Sequence, residues 1–110
     1  MNEPTVENGK LVRRNESGTL TQVALIYSPG YGGGFSSWDT KYPGCIYCPE
    51  LALGILNGGT NLHEIVERLF PGLYVDWESG LRVEWVELGK PYYLHEHDGS
   101  EWIVTDFPIA

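Results

Sequence analysis

Only seven Lys or Arg residues stand against fifteen Asp or Glu. This shortage of cations leaves a formal net charge of -8, the wrong sign for a protein that follows a long phosphate backbone and gains from counterion release. Nucleic-acid polymers are therefore excluded as expected partners. A small nucleotide is still admissible, because a few backbone N–H groups and one or two local cations neutralise a couple of phosphates inside an acidic protein. Cysteine is as scarce. Cys45 and Cys48, in a single Cys-Ile-Tyr-Cys, are too few to staple a small secreted domain, and a cytosol would keep them reduced. Long hydrophobic runs are missing as well: no stretch approaches the roughly 20 apolar residues of a membrane span. The start, Met1-Asn2-Glu3-Pro4, lacks the basic-then-apolar pattern of a secretory signal. The expected location is the cytosol, away from membranes.

What the chain does have is 42% hydrophobic content over 110 residues, enough for one core and too little for two. Residues 1–20 are polar, carry Asn8-Gly9 and Ser17-Gly18, and read as a tail with one short edge strand over 11–14 that adds little core. Residues 21–110 read as a single α+β domain. Val23, Ala24, Leu25 and Ile26 form a continuous apolar run, the signature of a central strand covered on both faces. Pro49 suits the first turn of a helix over 50–57 that Gly58-Gly59 closes. Asn61 with Glu64 three residues later resembles a capping box, and Leu62, Ile65, Val66 and Leu69 recur at helical spacing before Pro71-Gly72 stops them. Strands are expected over 73–77, 81–87, 92–97 and 101–105, with Asp98-Gly99 as a two-residue hairpin turn. The predicted fold is a mainly antiparallel sheet of about five strands, with two short helices between the first strand and a C-terminal β-meander. In that register Glu96 faces Glu101, a like-charge pair costing a few tenths of a kcal/mol unless solvated or sharing a cation.

The segment from Pro29 to Asp39 holds four glycines in five positions, Gly30, Gly32, Gly33 and Gly34, and cannot run on as strand or helix without a heavy entropic cost. Glycines let successive N–H groups turn toward one anion. Tyr31, Phe35 and Trp38 add flat rings, and stacking on a base is worth roughly 1–3 kcal/mol. Ser36, Ser37 and Asp39 supply hydroxyls and a carboxylate for ribose or base edges. Lys41 and Arg82 are the cations expected at phosphate. The competing reading makes the loop a tight bulge with Phe35 and Trp38 in the core.

Other chemistries have less behind them. The loop departs from a dinucleotide fingerprint, with Phe35 where the third glycine should stand, and it lacks the Gly-Lys-Ser/Thr of a Walker loop. Cys45 and Cys48 would supply half a zinc site, completed by His95 and His97 or by His63. Alternatively, Cys48 at a helix N-terminus would be a stabilised thiolate for redox work. The carboxylates Asp76, Glu78, Glu84, Glu87, Glu96 and Glu101 scatter over expected strands and read as the wet face of a sheet. Ser36 or Ser37 as a nucleophile has no Gly-x-Ser-x-Gly elbow and no nearby base. No catalytic residue, cofactor or resident metal is therefore assigned, and the chain is expected not to be an enzyme.

Tyr31-Gly32-Gly33-Gly34-Phe35-Ser36-Ser37-Trp38-Asp39, then Pro49-Glu50-Leu51 before Gly58, and finally His95-Glu96-His97-Asp98-Gly99-Ser100-Glu101 resemble a widespread group of small phage proteins. Their pattern reads Tyr-Gly-x-Gly-aromatic-Ser-x-Trp and, near the C-terminus, Tyr-Asp-Gly-Ser-Glu. The resemblance spans about residues 21–105. This chain departs from it with His97 in place of Tyr, a third consecutive glycine at Gly33, and the Cys-Ile-Tyr-Cys. The group's size and phage origin resemble those of sponge proteins that sequester nucleotide immune signals, including anti-CBASS sponges for cyclic dinucleotides. What this implies is a non-enzymatic viral anti-defence protein in the host cytosol, a homodimer, with Tyr31 to Asp39 lining the pocket, the backbone of Gly32 to Gly34 on phosphate and Trp38 or Phe35 on a base. Two other classes remain: a protein–protein inhibitor or adaptor acting on a host protein, and a small hydrolase or zinc-binding domain.

Overall fold

The computed structural model of the chain describes residues 4–14, 21–30, 35, 41–42, 44–77 and 80–105. Asn8 and Gly9 both take positive φ, 53° and 76°, as a two-residue type I′ turn requires. They close a hairpin between β1 (Thr5–Glu7) and β2 (Lys10–Arg14), with Glu7 opposite Lys10. β2 pairs in turn with β3 (Thr21–Tyr27), Val12 facing Val23. The strand expected over 11–14 is present, and with Leu11 and Val12 only 0% and 6% exposed a segment expected to add little core is a wall of it. Polar composition concealed this, because two inward side chains are enough to anchor a short strand.

β4 (Arg82–Glu87) lies antiparallel along the other side of β3, from Gln22 opposite Glu87 to Tyr27 opposite Arg82. The resulting sheet runs β1-β2-β3-β4. Side chains alternate across a strand, so β3 sends Ala24 and Ile26 to one face and Val23 and Leu25 to the other; all four are at most 3% exposed. This is the doubly covered central strand that the apolar run predicts.

Two short helices cover the first face. α1 (Pro49–Leu56) begins with its proline in the first turn. It ends where Gly58 and Gly59 adopt φ of 106° and 74°, folding their N–H groups back onto Ile55 O and Gly54 O at 3.3 and 2.9 Å. α2 (Leu62–Leu69) packs Ile65 and Val66 inward. Asn61 precedes it with φ −118° and ψ 24° and makes no side-chain cap, so the expected capping box does not form: with ψ so far from the extended region, the side chain is not turned back over the first turn. A Cβ on Gly54 would sit 3.0 and 3.1 Å from Leu62 and Ile65 side-chain carbons, which is how closely the helices meet. Leu11, Ala24, Ile26, Leu51, Ile65 and Val66 belong to this core layer.

The other face is covered by a hairpin of β5 (Tyr93–His97) and β6 (Ser100–Val104), closed by Asp98 and Gly99 at φ of 50° and 87°. Val12, Val23, Leu25 and Val86 pack there against Ile46 and Ile103. Here the architecture departs from a meander, because β5 and β6 pair with each other in a sheet of their own. Residues 73–77, expected as a strand, pair with none. Leu73 and Val75 are buried and Tyr74 exposed, so the alternation in this segment reports burial and not a hydrogen-bonding partner. No helix among the described residues is long and apolar enough to cross a membrane.

Leu11→Ala should destabilise the protein by about 2–5 kcal/mol through the cavity it leaves, read as a lowered urea midpoint. Val6→Ala, at a position 56% exposed, should change stability by no more than about 0.5 kcal/mol. A true tail would make both substitutions silent.

Candidate functional site

β3 ends at Tyr27, and the chain enters the glycine-rich segment through Ser28 and Pro29. What fixes that segment comes from the far end of the sequence. Glu101, on β6, is 1% exposed. Its Oε1 accepts the Ser28 N–H at 3.0 Å and its Oε2 accepts the Phe35 N–H at 2.9 Å. The Glu101 N–H donates back to Ser28 O at 2.7 Å, and Ser100 Oγ donates to Pro29 O at 2.8 Å. One buried carboxylate thus spans both ends of an eight-residue stretch, 28 to 35, and draws them into a neck. A carboxylate is costly to bury unless hydrogen bonds replace its water, and here charge-assisted bonds from backbone amides do so. The Ser28 side chain is buried in the same neck, and its Oγ has no hydrogen-bond partner among the described residues.

Of the predicted binding residues, Tyr31, Gly32, Gly33, Gly34, Ser36, Ser37, Trp38 and Asp39 lie outside the described residues. Phe35 does not meet its expected role. Its ring is 1% exposed in the core between sheet and helices, so it anchors the loop and offers no face for stacking. Arg82 is exposed at the start of β4, opposite Tyr27, one residue before the neck. Lys41 is exposed, with its ammonium 5.4 Å from the Tyr42 ring centroid.

Glu101 was missed as a site residue, since strand alternation places a carboxylate on the wet face by default. The signal was the register itself. Glu96 does lie opposite Glu101, on the same face of the hairpin, and that face is the inward one carrying Leu94 and Ile103. Backbone amides meet both charges: Glu96 Oε2 accepts the Gly99 N–H at 2.7 Å.

The remaining sequence candidates are not brought together. Cys45 and Cys48 are buried in the core layer that the helices cover and are not joined in a disulfide. His95 packs against Trp102 with ring centroids 4.3 Å apart, His97 Nε2 lies 3.5 Å from Asp98 Oδ2, and His63 leans on Trp77 at 5.2 Å. Among the described residues no three His, Cys, Asp or Glu side chains are grouped to hold a metal, so the zinc alternative gains no support from them. The stabilised-thiolate alternative gains no support either. Burial pushes the Cys48 thiol above its ordinary 9.0, outweighing the Leu51 and Glu50 N–H groups that favour the thiolate; the charge of Glu50 adds to the rise and that of Arg68 opposes it.

On the hairpin side of the sheet the Tyr47 and Tyr92 hydroxyls share a short hydrogen bond, and the Lys10 ammonium sits 4.4 Å from the Tyr47 ring centroid. Burial, then the bond to Tyr47, raise the Tyr92 phenol above its usual value. Comparison of the chain with protein-family models, with curated proteins and with solved structures finds no match.

Glu101→Gln keeps the shape of the clamp but leaves only one acceptor oxygen for two N–H groups, so it should cost about 1–3 kcal/mol and speed hydrogen exchange at the Ser28 and Phe35 amides. Stability should also fall with rising pH on the alkaline side. Cys48 and Tyr92 hold their protons more tightly folded than unfolded, so once the unfolded thiol begins to ionise near 9.0 the unfolded chain binds fewer protons and is favoured. Urea midpoints measured from pH 7 to 11 check this, and Cys48→Ala should flatten the first part of the decline.

Proposed function

We propose that this chain is a non-catalytic binding protein that holds a small nucleotide-type signal at the loop of residues 29–39, a phage-encoded sponge of the anti-CBASS kind that blunts host defence from the host cytosol. The observation that carries the reading is the Glu101 clamp. A loop needed only to turn the chain does not call for a buried carboxylate on its neck, whereas a loop shaped in advance loses less conformational entropy when a ligand arrives. The clamp also joins two of the three segments that carry the sequence resemblance, the glycine-rich loop and the Asp98-Gly99-Ser100-Glu101 hairpin, into one unit.

In this reading the Gly32–Gly34 backbone meets phosphate, Arg82 lies near the neck to balance charge, and Tyr31 and Trp38 take the base, Phe35 being spent in the core. The unpartnered Ser28 hydroxyl is a further polar group at the neck. A homodimer would supply the pocket walls that so small a domain lacks. Sequestration requires affinity and no turnover.

A second reading, an inhibitor or adaptor that docks on a host protein, draws on the outer face of the β5–β6 hairpin. There Tyr93 and Trp102 are 46% and 42% exposed with His95 between them.

The purified protein, incubated with a panel of cyclic and linear nucleotides, should deplete at least one from solution, release it chemically unchanged on denaturation, and melt higher in its presence. Mass action predicts about 2.7 kcal/mol of stabilisation at a hundredfold excess over Kd. Glu101→Gln should weaken that binding. Full recovery of every nucleotide with no shift in Tm would sink the sponge reading and leave the docking one, and conversion of a nucleotide would make the protein a hydrolase.

A further inference from the structure

The turn that ends α1 and the segment that leads into β4 face each other across an open cleft of about 570 Å³, within the range of roughly 300–1,000 Å³ typical of small-molecule sites. Ile55, Leu62 and Leu81 supply its apolar lining, and the rings of His63 and Trp77 stand over it. The two rings are tilted by 51° with centroids 5.2 Å apart, so they are not stacked face to face. Trp77 is left 38% exposed, an aromatic platform with room beside it.

The glycines of this cleft differ in kind from those of the 29–39 loop. The Gly58 and Gly59 N–H groups are spent on Ile55 O and Gly54 O, and the Gly80 N–H on Asp76 O at 2.9 Å. None is left to cradle an anion. Among the described residues no Lys or Arg lines the cleft, the sequence neighbours Glu64 and Asp76 carry carboxylates, and the chain as a whole is acidic. With its glycine amides committed, the cleft offers polar contacts through the Thr60 hydroxyl, which can accept or donate, and the ring nitrogens of His63 and Trp77.

We infer that this cleft is a second binding site, for an uncharged flat heteroaromatic ring that brings its own N–H donors, of the aminopurine class, stacked on Trp77 and hydrogen-bonded at Thr60. It takes a base without a phosphate. It stands independently of the loop reading, since it uses none of the residues between Ser28 and Asp39.

Ligand-observed NMR on the full chain with adenine, benzoate and inorganic phosphate as probes tests the assignment. Adenine should show saturation transfer, benzoate should bind at least tenfold more weakly because it brings a negative charge and no donor, and phosphate should give no competition. Trp77→Ala should weaken adenine roughly 5- to 150-fold, the range that corresponds to one lost stacking contact, while Trp77→Phe retains most of the binding. Thr60→Val, which keeps the side-chain shape, should cost roughly 2- to 10-fold and serves if Trp77→Ala fails to fold. Glu101→Gln should leave adenine binding unchanged, so that loss of the loop site and loss of this one are told apart. The proposal is overturned if adenine shows no transfer, if benzoate binds as well as adenine, or if a folded Trp77→Ala or Thr60→Val variant binds adenine like the wild type.

Discussion

The interaction on which the rest of this structure turns is the Glu101 carboxylate between the Ser28 and Phe35 amides. Inside a protein a hydrogen bond gains strength from the low dielectric, and an unpaired charge loses by the same measure. Glu101 therefore cannot adopt a second arrangement at low cost: away from the neck it would be a buried charge without its two donors. That intolerance fixes where β6 lies, hence where the hairpin sits on the sheet, and hence which apolar side chains the face of Val23 and Leu25 meets. The loop is positioned by the same bonds that position the hairpin.

Around this point the molecule is built as a sheet between unlike covers. Helices fill one side with Leu51, Ile65 and Val66, and the hairpin with a single turn of 3₁₀ helix over Cys45–Tyr47 fills the other with Ile46 and Ile103. The two covers leave different surfaces exposed. The helical side opens into the cleft beside Trp77, whose glycine amides are committed, while the hairpin side holds the neck of a loop whose glycines carry the opposite chemical promise.

The sequence spoke most clearly where a single physical rule governed. Val23 to Ile26 announced a doubly covered strand because nothing else tolerates four consecutive apolar residues at the surface. Asp98-Gly99 announced a hairpin because both positions need positive φ. Asn8-Gly9 carried the same signal and was outvoted by the polar residues around it, although turn chemistry is local and burial of Leu11 is not. Residues 73–77 showed the reverse: alternation predicted which side chains go inward, and the pairing that makes a strand depended on a neighbour the pattern does not encode. The role of Glu101 was the least legible part of the site. Its partners are backbone amides at Ser28 and Phe35, and backbone groups leave no trace in residue identity. Phe35, read as a possible stacking ring, is core for a related reason: its own amide is tied to a buried group, which draws the ring in with it.

The clamp links positions 73 residues apart, and long-range contacts of this kind close late, after more local structure has reduced the entropy of bringing their ends together. During synthesis the strand that leads into the loop, the two helices and β4 are all made before Glu101 is added to the chain. Until it emerges, the Ser28 and Phe35 amides lack their acceptor. The neck is thus tied late, and a chain truncated before β6 would retain most of its hydrophobic residues while lacking the side chain that joins Ser28 to Phe35.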